Sequence, residues 1–136
     1  MKKRKPKHPY TVPEIIPSYY HHSSYPLEIR KSTLVNAGLG LFSLGTIPSN
    51  CRIDYYTGDY LSIPTSAYYI EITNTIGIDA GSYPRCYMAM INDGFSKNNC
   101  RFEIDVDTKQ VSVWTLREIQ TEELFVSYGD EYWHTS

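Results

Sequence analysis

The chain has 136 residues, 41% of them hydrophobic and 21% charged, which fits one domain with a modest core. No apolar run approaches the ~20 residues of a membrane-spanning helix, and no apolar stretch follows the basic start as a secretory leader requires, so an intracellular protein is expected. Five of the 13 basic residues (Lys2, Lys3, Arg4, Lys5 and Lys7) lie in the first seven positions, leaving 8 basic against 15 acidic residues in the remaining 129, a body that suits a Lys-rich partner better than nucleic acid.

Residues 1–26 are rich in proline, carry the basic run with His8, His21 and His22, and show no periodicity. They read as an extended arm ahead of a domain over 27–136. The KKRKPK start leaves three readings open: a nuclear address, an arm touching DNA, or a solvated tail. From Leu27 the texture becomes β. Leu27–Ser32 alternates apolar and polar as a half-buried strand should, Asn36–Gly40 is a turn, and Leu41–Ser43 is extended. Cys51–Tyr56, Tyr68–Ile72 and Ile76–Ala80 read as further strands, whereas the apolar run Cys86–Ile91 suits one or two helical turns. Phe102–Val106 and Gln110–Trp114 flank Asp107-Thr108-Lys109 as a hairpin. Leu116–Glu123 is polar and aperiodic, and Leu124–Val126 is the last strand. Short strands, Gly- and Pro-bearing turns and little helix predict a mainly β domain.

Thirteen tyrosines are many for a chain of this length. Most suit a β-rich core, and a few rings and hydroxyls could line a narrow channel. Cys51, Cys86 and Cys100 are odd in number and form no CxxC pair, which argues against structural zinc and against a disulfide framework. They read as buried or free thiols, and no metal site is expected. There is no phosphate-binding GxxxxGK[ST] loop, no HExxH and no GxSxG. Gly38-Leu39-Gly40 alone marks only a tight turn where backbone is accessible.

Several segments taken together are more specific. Ala37-Gly38-Leu39-Gly40-Leu41-Phe42, Tyr56-Thr57-Gly58, Ile78-Asp79-Ala80, Met90-Ile91-Asn92-Asp93-Gly94, Asn99-Cys100 and Glu123-Leu124-Phe125-Val126-Ser127-Tyr128-Gly129 follow one another in the order of the SET-domain motifs. From about Leu27 to Trp133 the chain resembles SET-domain protein lysine methyltransferases. Its ending, Ser127-Tyr128-Gly129-Asp130-Glu131-Tyr132-Trp133, is similar to the compact viral-type proteins that lack a zinc-binding segment after the domain.

The resemblance implies a fold of several small sheets, with a knot-like crossing of the Asn92 and Tyr128 segments. It implies S-adenosylmethionine as cofactor and a lysine of a protein or peptide, such as a histone tail, as substrate. The two would enter from opposite faces and meet in a narrow channel. Tyr128 would be the catalytic tyrosine and part of the channel. Asn92 would hold the cofactor's amino end. Gly38, Leu39, Gly40 and Asp93 would meet the cofactor through their backbone, and Trp133 would cover its adenine or close the channel. Tyr56 and Phe102 would line the lysine channel, and a Phe at position 102 leaves room for di- or trimethylation.

Three departures from the family pattern stand out. Asp93 replaces a histidine, Ala89 sits where many relatives have arginine, and Lys97 lies in a region usually holding proline. A buried Asp93 would need hydrogen-bond partners. With no post-SET segment, Tyr132, Trp133 or a second subunit would close the channel, and a homodimer is compatible with so small a chain. The alternatives are a catalytically weak or inactive SET-fold module that binds a peptide or chromatin partner, and a protein that contacts nucleic acid through its basic arm.

Overall fold

Ten short strands form among the described residues. The computed structural model describes residues 19–129, so the basic run and Trp133 lie outside the described residues. The strands are β1 (Tyr19–Tyr20), β2 (Leu27–Lys31), β3 (Leu39–Ser43), β4 (Arg52–Tyr56), β5 (Asp59–Leu61), β6 (Tyr69–Thr73), β7 (Ile76–Asp79), β8 (Arg85–Cys86), β9 (Cys100–Asp105) and β10 (Gln110–Thr115). The apolar run after Cys86 forms a 3₁₀ turn over Tyr87–Met90, and a second such turn covers Phe95–Lys97.

Four small sheets result: β4-β10-β9, β5-β7-β6, and the pairs β2-β3 and β1-β8. The β9–β10 hairpin forms as its turn residues predict. Asp105 Oδ1 accepts the Asp107 and Thr108 amides, and Lys109 takes a left-handed backbone (φ 61°) that reverses the chain. In its antiparallel register Val111 faces both Tyr56 and Ile104, and Val113 faces both Asp54 and Phe102. Directly paired residues share a face, so Tyr56 and Phe102 point to the same side of the sheet. Fully enclosed Leu41, Ile70, Met88, Ile91, Val111 and Leu124 show that the separate sheets bury one common core.

Three elements depart from the sequence expectation. The strands begin inside the stretch read as an arm, because Tyr19–Tyr20 pairs in parallel with Arg85–Cys86 and buries the Tyr19 ring edge-on against Tyr83. A two-residue strand carries no periodicity, so only its distant partner reveals it. β5 was unexpected for the same reason; Asp59 and Tyr60 are exposed, and the strand exists by pairing with β7. Leu124–Val126 is extended but joins no regular ladder. Glu123 bridges Phe42, Phe125 bridges Asn92, and Val126 bridges Cys100.

Two buried carboxylates tie this arrangement together. Glu123 Oε2 accepts the Ser32 hydroxyl at 2.6 Å, while its Oε1 accepts the Thr33 amide at 2.8 Å and the Thr33 hydroxyl at 2.6 Å. Its carboxylate lies over Gly40, where a Cβ would come within 2.3 Å of Oε2. The second glycine of Gly-x-Gly is therefore required by space, whereas Gly38 is required by its left-handed backbone (φ 71°). Asp79, at the end of β7, accepts hydrogen bonds from the amides of Thr65, Ser66 and Gly81 and from the Thr65 and Ser66 hydroxyls.

Two outcomes follow. Gly40→Ala should destabilise by about 1–3 kcal/mol, the usual result of overpacking a filled site, measured as a shift of the urea midpoint at unchanged slope. For Asp79, burial alone would raise the carboxyl pKa, but the bonds from Ser66, Thr65 and Gly81 outweigh it and hold the group below the ordinary range. A depressed folded-state pKa contributes stability above the unfolded value, near 3.9, and loses it as pH falls through the folded value. Asp79→Asn should therefore cost about 1–3 kcal/mol near neutrality, and the gap from wild type should shrink progressively below about pH 4.

Candidate active site

The knot-like crossing forms around the extended segment 124–126. The amides of Leu124 and Val126 turn to one side and donate to Leu41 O (2.8 Å) and Asn92 O (2.9 Å). Phe125 turns to the other side, where its carbonyl accepts the amides of Asn99 (3.1 Å) and Cys100 (2.9 Å). The segment thus passes between the two limbs of the loop running from Asn92 to Cys100. The Asn99 side chain seals this passage, its Oδ1 accepting the Phe125 amide at 2.8 Å and its Nδ2 donating to Glu123 O at 3.0 Å. Successive residues of an extended strand direct their N–H and C=O groups to opposite sides, so both flanks must supply hydrogen-bond partners, here backbone groups and the Asn99 side chain.

The crossing brings together most of the residues singled out in the sequence. Asn92 is half-buried and donates Nδ2 to Leu39 O at 2.9 Å, fastening itself to the middle of Gly38-Leu39-Gly40. Its Oδ1 takes no hydrogen bond among the described residues. Tyr128 is buried, and its hydroxyl donates to Ile91 O at 2.7 Å, one residue before Asn92. Tyr56 is fully buried and donates to Tyr68 O at 2.5 Å. The Phe102 ring stands edge-on to Tyr56, with centroids 6.0 Å apart and an interplanar angle of 83°. Burial, and then the nearby Cys86, Tyr128, Tyr68 and Asp79, push the Tyr56 phenol well above the ordinary tyrosine range. It is therefore a neutral hydrogen-bond donor at any physiological pH.

Asp93 answers the requirement that its burial imposes. Its Oδ2 accepts the Tyr128 amide at 2.9 Å, and its Oδ1 accepts the Phe95 amide at 2.8 Å and Asn98 Nδ2 at 3.3 Å. Its side chain is committed to the protein, so only its backbone can face a cofactor. Gly40 likewise serves β3 and makes room for Glu123, and the Gly38 carbonyl accepts the Ser32 amide at 2.8 Å. Ala89 is buried in the turn after Cys86, and Lys97 is exposed. Trp133 lies outside the described residues. None of the three cysteines is in a disulfide: Cys86 and Cys100 are buried, and Cys51 is half-buried with its sulfur 3.0 Å from the Tyr25 hydroxyl. Burial pushes the Cys100 thiol up to about 12, so it is no nucleophile near neutrality.

Asn99 and Glu123 hold the site together without having been assigned a role from the sequence beyond their motifs. A glutamate immediately before the apolar run Leu124–Val126, and an asparagine beside a cysteine, were the available signals. Neither names a partner. A cavity of about 550 Å³ is lined by residues that include Tyr20, His22, Thr57, Asp59, Ala80 and Tyr83.

No family model and no curated protein matches the sequence. The structure, however, is similar to a chain in a humanized mutant of the Chaetomium thermophilum Polycomb Repressive Complex 2 bound to the inhibitor GSK126. The TM-score is 0.65 at 21% identity, and the match covers 79% of this chain and 15% of that one. A likeness at that identity is one of fold. The small sheets, the threaded segment 124–126 and this likeness agree: the chain has a mainly β, SET-like fold.

Proposed function

We propose that this chain is an S-adenosylmethionine-dependent protein-lysine methyltransferase of the compact viral SET type, acting on a lysine in a basic segment such as a histone tail. One observation carries the proposal. Asn92 and Tyr128 are drawn together at the crossing, Asn92 through Leu39 O and Tyr128 through Ile91 O, so a cofactor-holding amide and a phenol lie one backbone step apart.

The residues present fit that cofactor. With Nδ2 turned to Leu39 O, the Asn92 carboxamide offers Oδ1 as an acceptor for an ammonium group. The Gly38–Gly40 stretch supplies closely approachable backbone beside it. S-adenosylmethionine supplies, when bound, a methyl group on a cationic sulfur that a neutral amine can displace.

The chain's own groups account for the rest. Free lysine has a pKa near 10.4, so the attacking amine must shed a proton. Dry aromatic walls disfavour the ammonium form, and Tyr56 and Phe102 provide them. Because the Tyr128 hydroxyl gives its proton to Ile91 O, its oxygen acts toward an incoming amine as an acceptor and orients it. Phe102 carries no hydroxyl to hold an ordered water, which supports di- or trimethylation. The acidic body draws a Lys-rich segment, and a histone tail as substrate would place the protein beside chromatin.

Calorimetric titration with S-adenosylmethionine should show saturable one-to-one binding, weakened about tenfold or more by Asn92→Ala as a hydrogen bond to a charged group is lost. An absence of binding at millimolar cofactor would leave a SET-like scaffold that binds a peptide or chromatin partner instead. Tyr128→Phe should retain the circular-dichroism spectrum and lower kcat on lysine peptides by about 10²-fold or more, as when a preorganised polar group is removed from a reacting centre. Normal turnover by that variant would remove Tyr128 from the chemistry.

A further inference from the structure

We propose that the Asp93 carboxylate is a positioning residue that fixes Tyr128 against Asn92. The proposal depends on the methyl-transfer reading for its kinetic consequence and on geometry alone for the clamp itself. Asp93 is buried at 6% exposure, and both of its oxygens receive backbone N–H groups from different parts of the chain. Oδ2 takes the Tyr128 amide from the C-terminal segment, and Oδ1 takes the Phe95 amide from its own loop, with Asn98 Nδ2 also on Oδ1. Asn98 in turn accepts the Gly94 amide at 2.7 Å, which closes the loop on itself. Gly94 presses against the Phe125 ring so closely that a Cβ there would come within 2.6 Å of Cγ. The loop is thereby laid flat on the threaded segment.

Only an acceptor at both ends can do this. A carboxylate accepts on both oxygens, an asparagine would turn an NH₂ toward one of the two N–H groups, and a neutral histidine has one acceptor nitrogen. Aspartate where the SET pattern has histidine is thus a substitution with its own geometry. Charge-assisted bonds of this kind are stronger and stiffer than neutral ones. Tyr128 is consequently held at two points, its amide by Asp93 and its hydroxyl by Ile91 O, and those residues flank Asn92 on either side. A slackened Asp93 lets the Tyr128 phenol drift relative to Asn92. A misplacement of about 1 Å at a reacting centre costs about 10²-fold in rate.

The test uses the full-length, isotope-labelled chain and its Asp93→Asn variant. In wild type, a scalar coupling across the hydrogen bond should connect the Tyr128 amide nitrogen to the Asp93 carboxyl carbon. In Asp93→Asn the Tyr128 amide should exchange with solvent about tenfold faster or more, while the Val126 and Cys100 amides, bonded to Asn92 O and Phe125 O, keep their protection. With a lysine peptide, kcat should fall about 10- to 100-fold with KM for S-adenosylmethionine unchanged. The proposal is overturned if the coupling is absent in wild type, which holds even if Asp93→Asn does not fold. It is also overturned if Tyr128 stays protected in the variant, or if the loss appears in cofactor KM with kcat retained. If wild type transfers no methyl group yet the Tyr128 amide responds as stated, the clamp stands and the methyl-transfer reading falls.

Discussion

The extended run Leu124–Val126 has no sheet of its own, and the site exists because of how its backbone is satisfied. Its amides must be met on one side by β3 and Asn92, and its Phe125 carbonyl on the other by Asn99 and Cys100. Unpaired backbone groups in a buried segment cost as much as lost hydrogen bonds, so the two flanks cannot separate without penalty. That requirement holds Gly38-Leu39-Gly40, Asn92 and Tyr128 within reach of one another although they are far apart along the chain.

The crossing depends on polar side chains in places that composition would assign to apolar ones. Glu123, Asn99 and Asp93 are all buried, and each bonds chiefly to backbone or hydroxyl groups rather than to a cation. Such groups are costly if left unpaired and specific once paired, because only one arrangement of the strands satisfies them all. The apolar core around Leu41, Ile91 and Leu124 supplies the driving force for collapse. The polar groups select which collapsed arrangement is reached, and Gly40 is small because Glu123 occupies the space beside it.

The tyrosines at the site act through donated protons. Tyr56 gives its proton to Tyr68 O and Tyr128 gives its proton to Ile91 O, and burial keeps the Tyr56 phenol neutral. Each ring is thus locked in orientation by a backbone carbonyl. On the methyl-transfer reading proposed above, such an arrangement would act through placement and desolvation.

Much of this was legible in the residues. Alternation marked β2 and β6, β4 and β7 read as further short strands, and Asp107-Thr108-Lys109 marked the β9–β10 hairpin, because short-range pattern and turn chemistry act over a few residues. Gly38 could be read as a turn glycine for the same reason, and the motif order led to the expectation that Asn92, Tyr56, Phe102 and Tyr128 lie near one another. The pairing of Tyr19–Tyr20 with Arg85–Cys86 could not be read, nor could the edge strand Asp59–Leu61, because two or three residues hold no period and their partners are remote. The roles of Glu123, Asn99 and Asp93 were hidden in the same way. Whether a carboxylate or carboxamide is a liability or a clamp depends on which backbone amides arrive beside it, and that is decided only when the chain closes around residues 124–126.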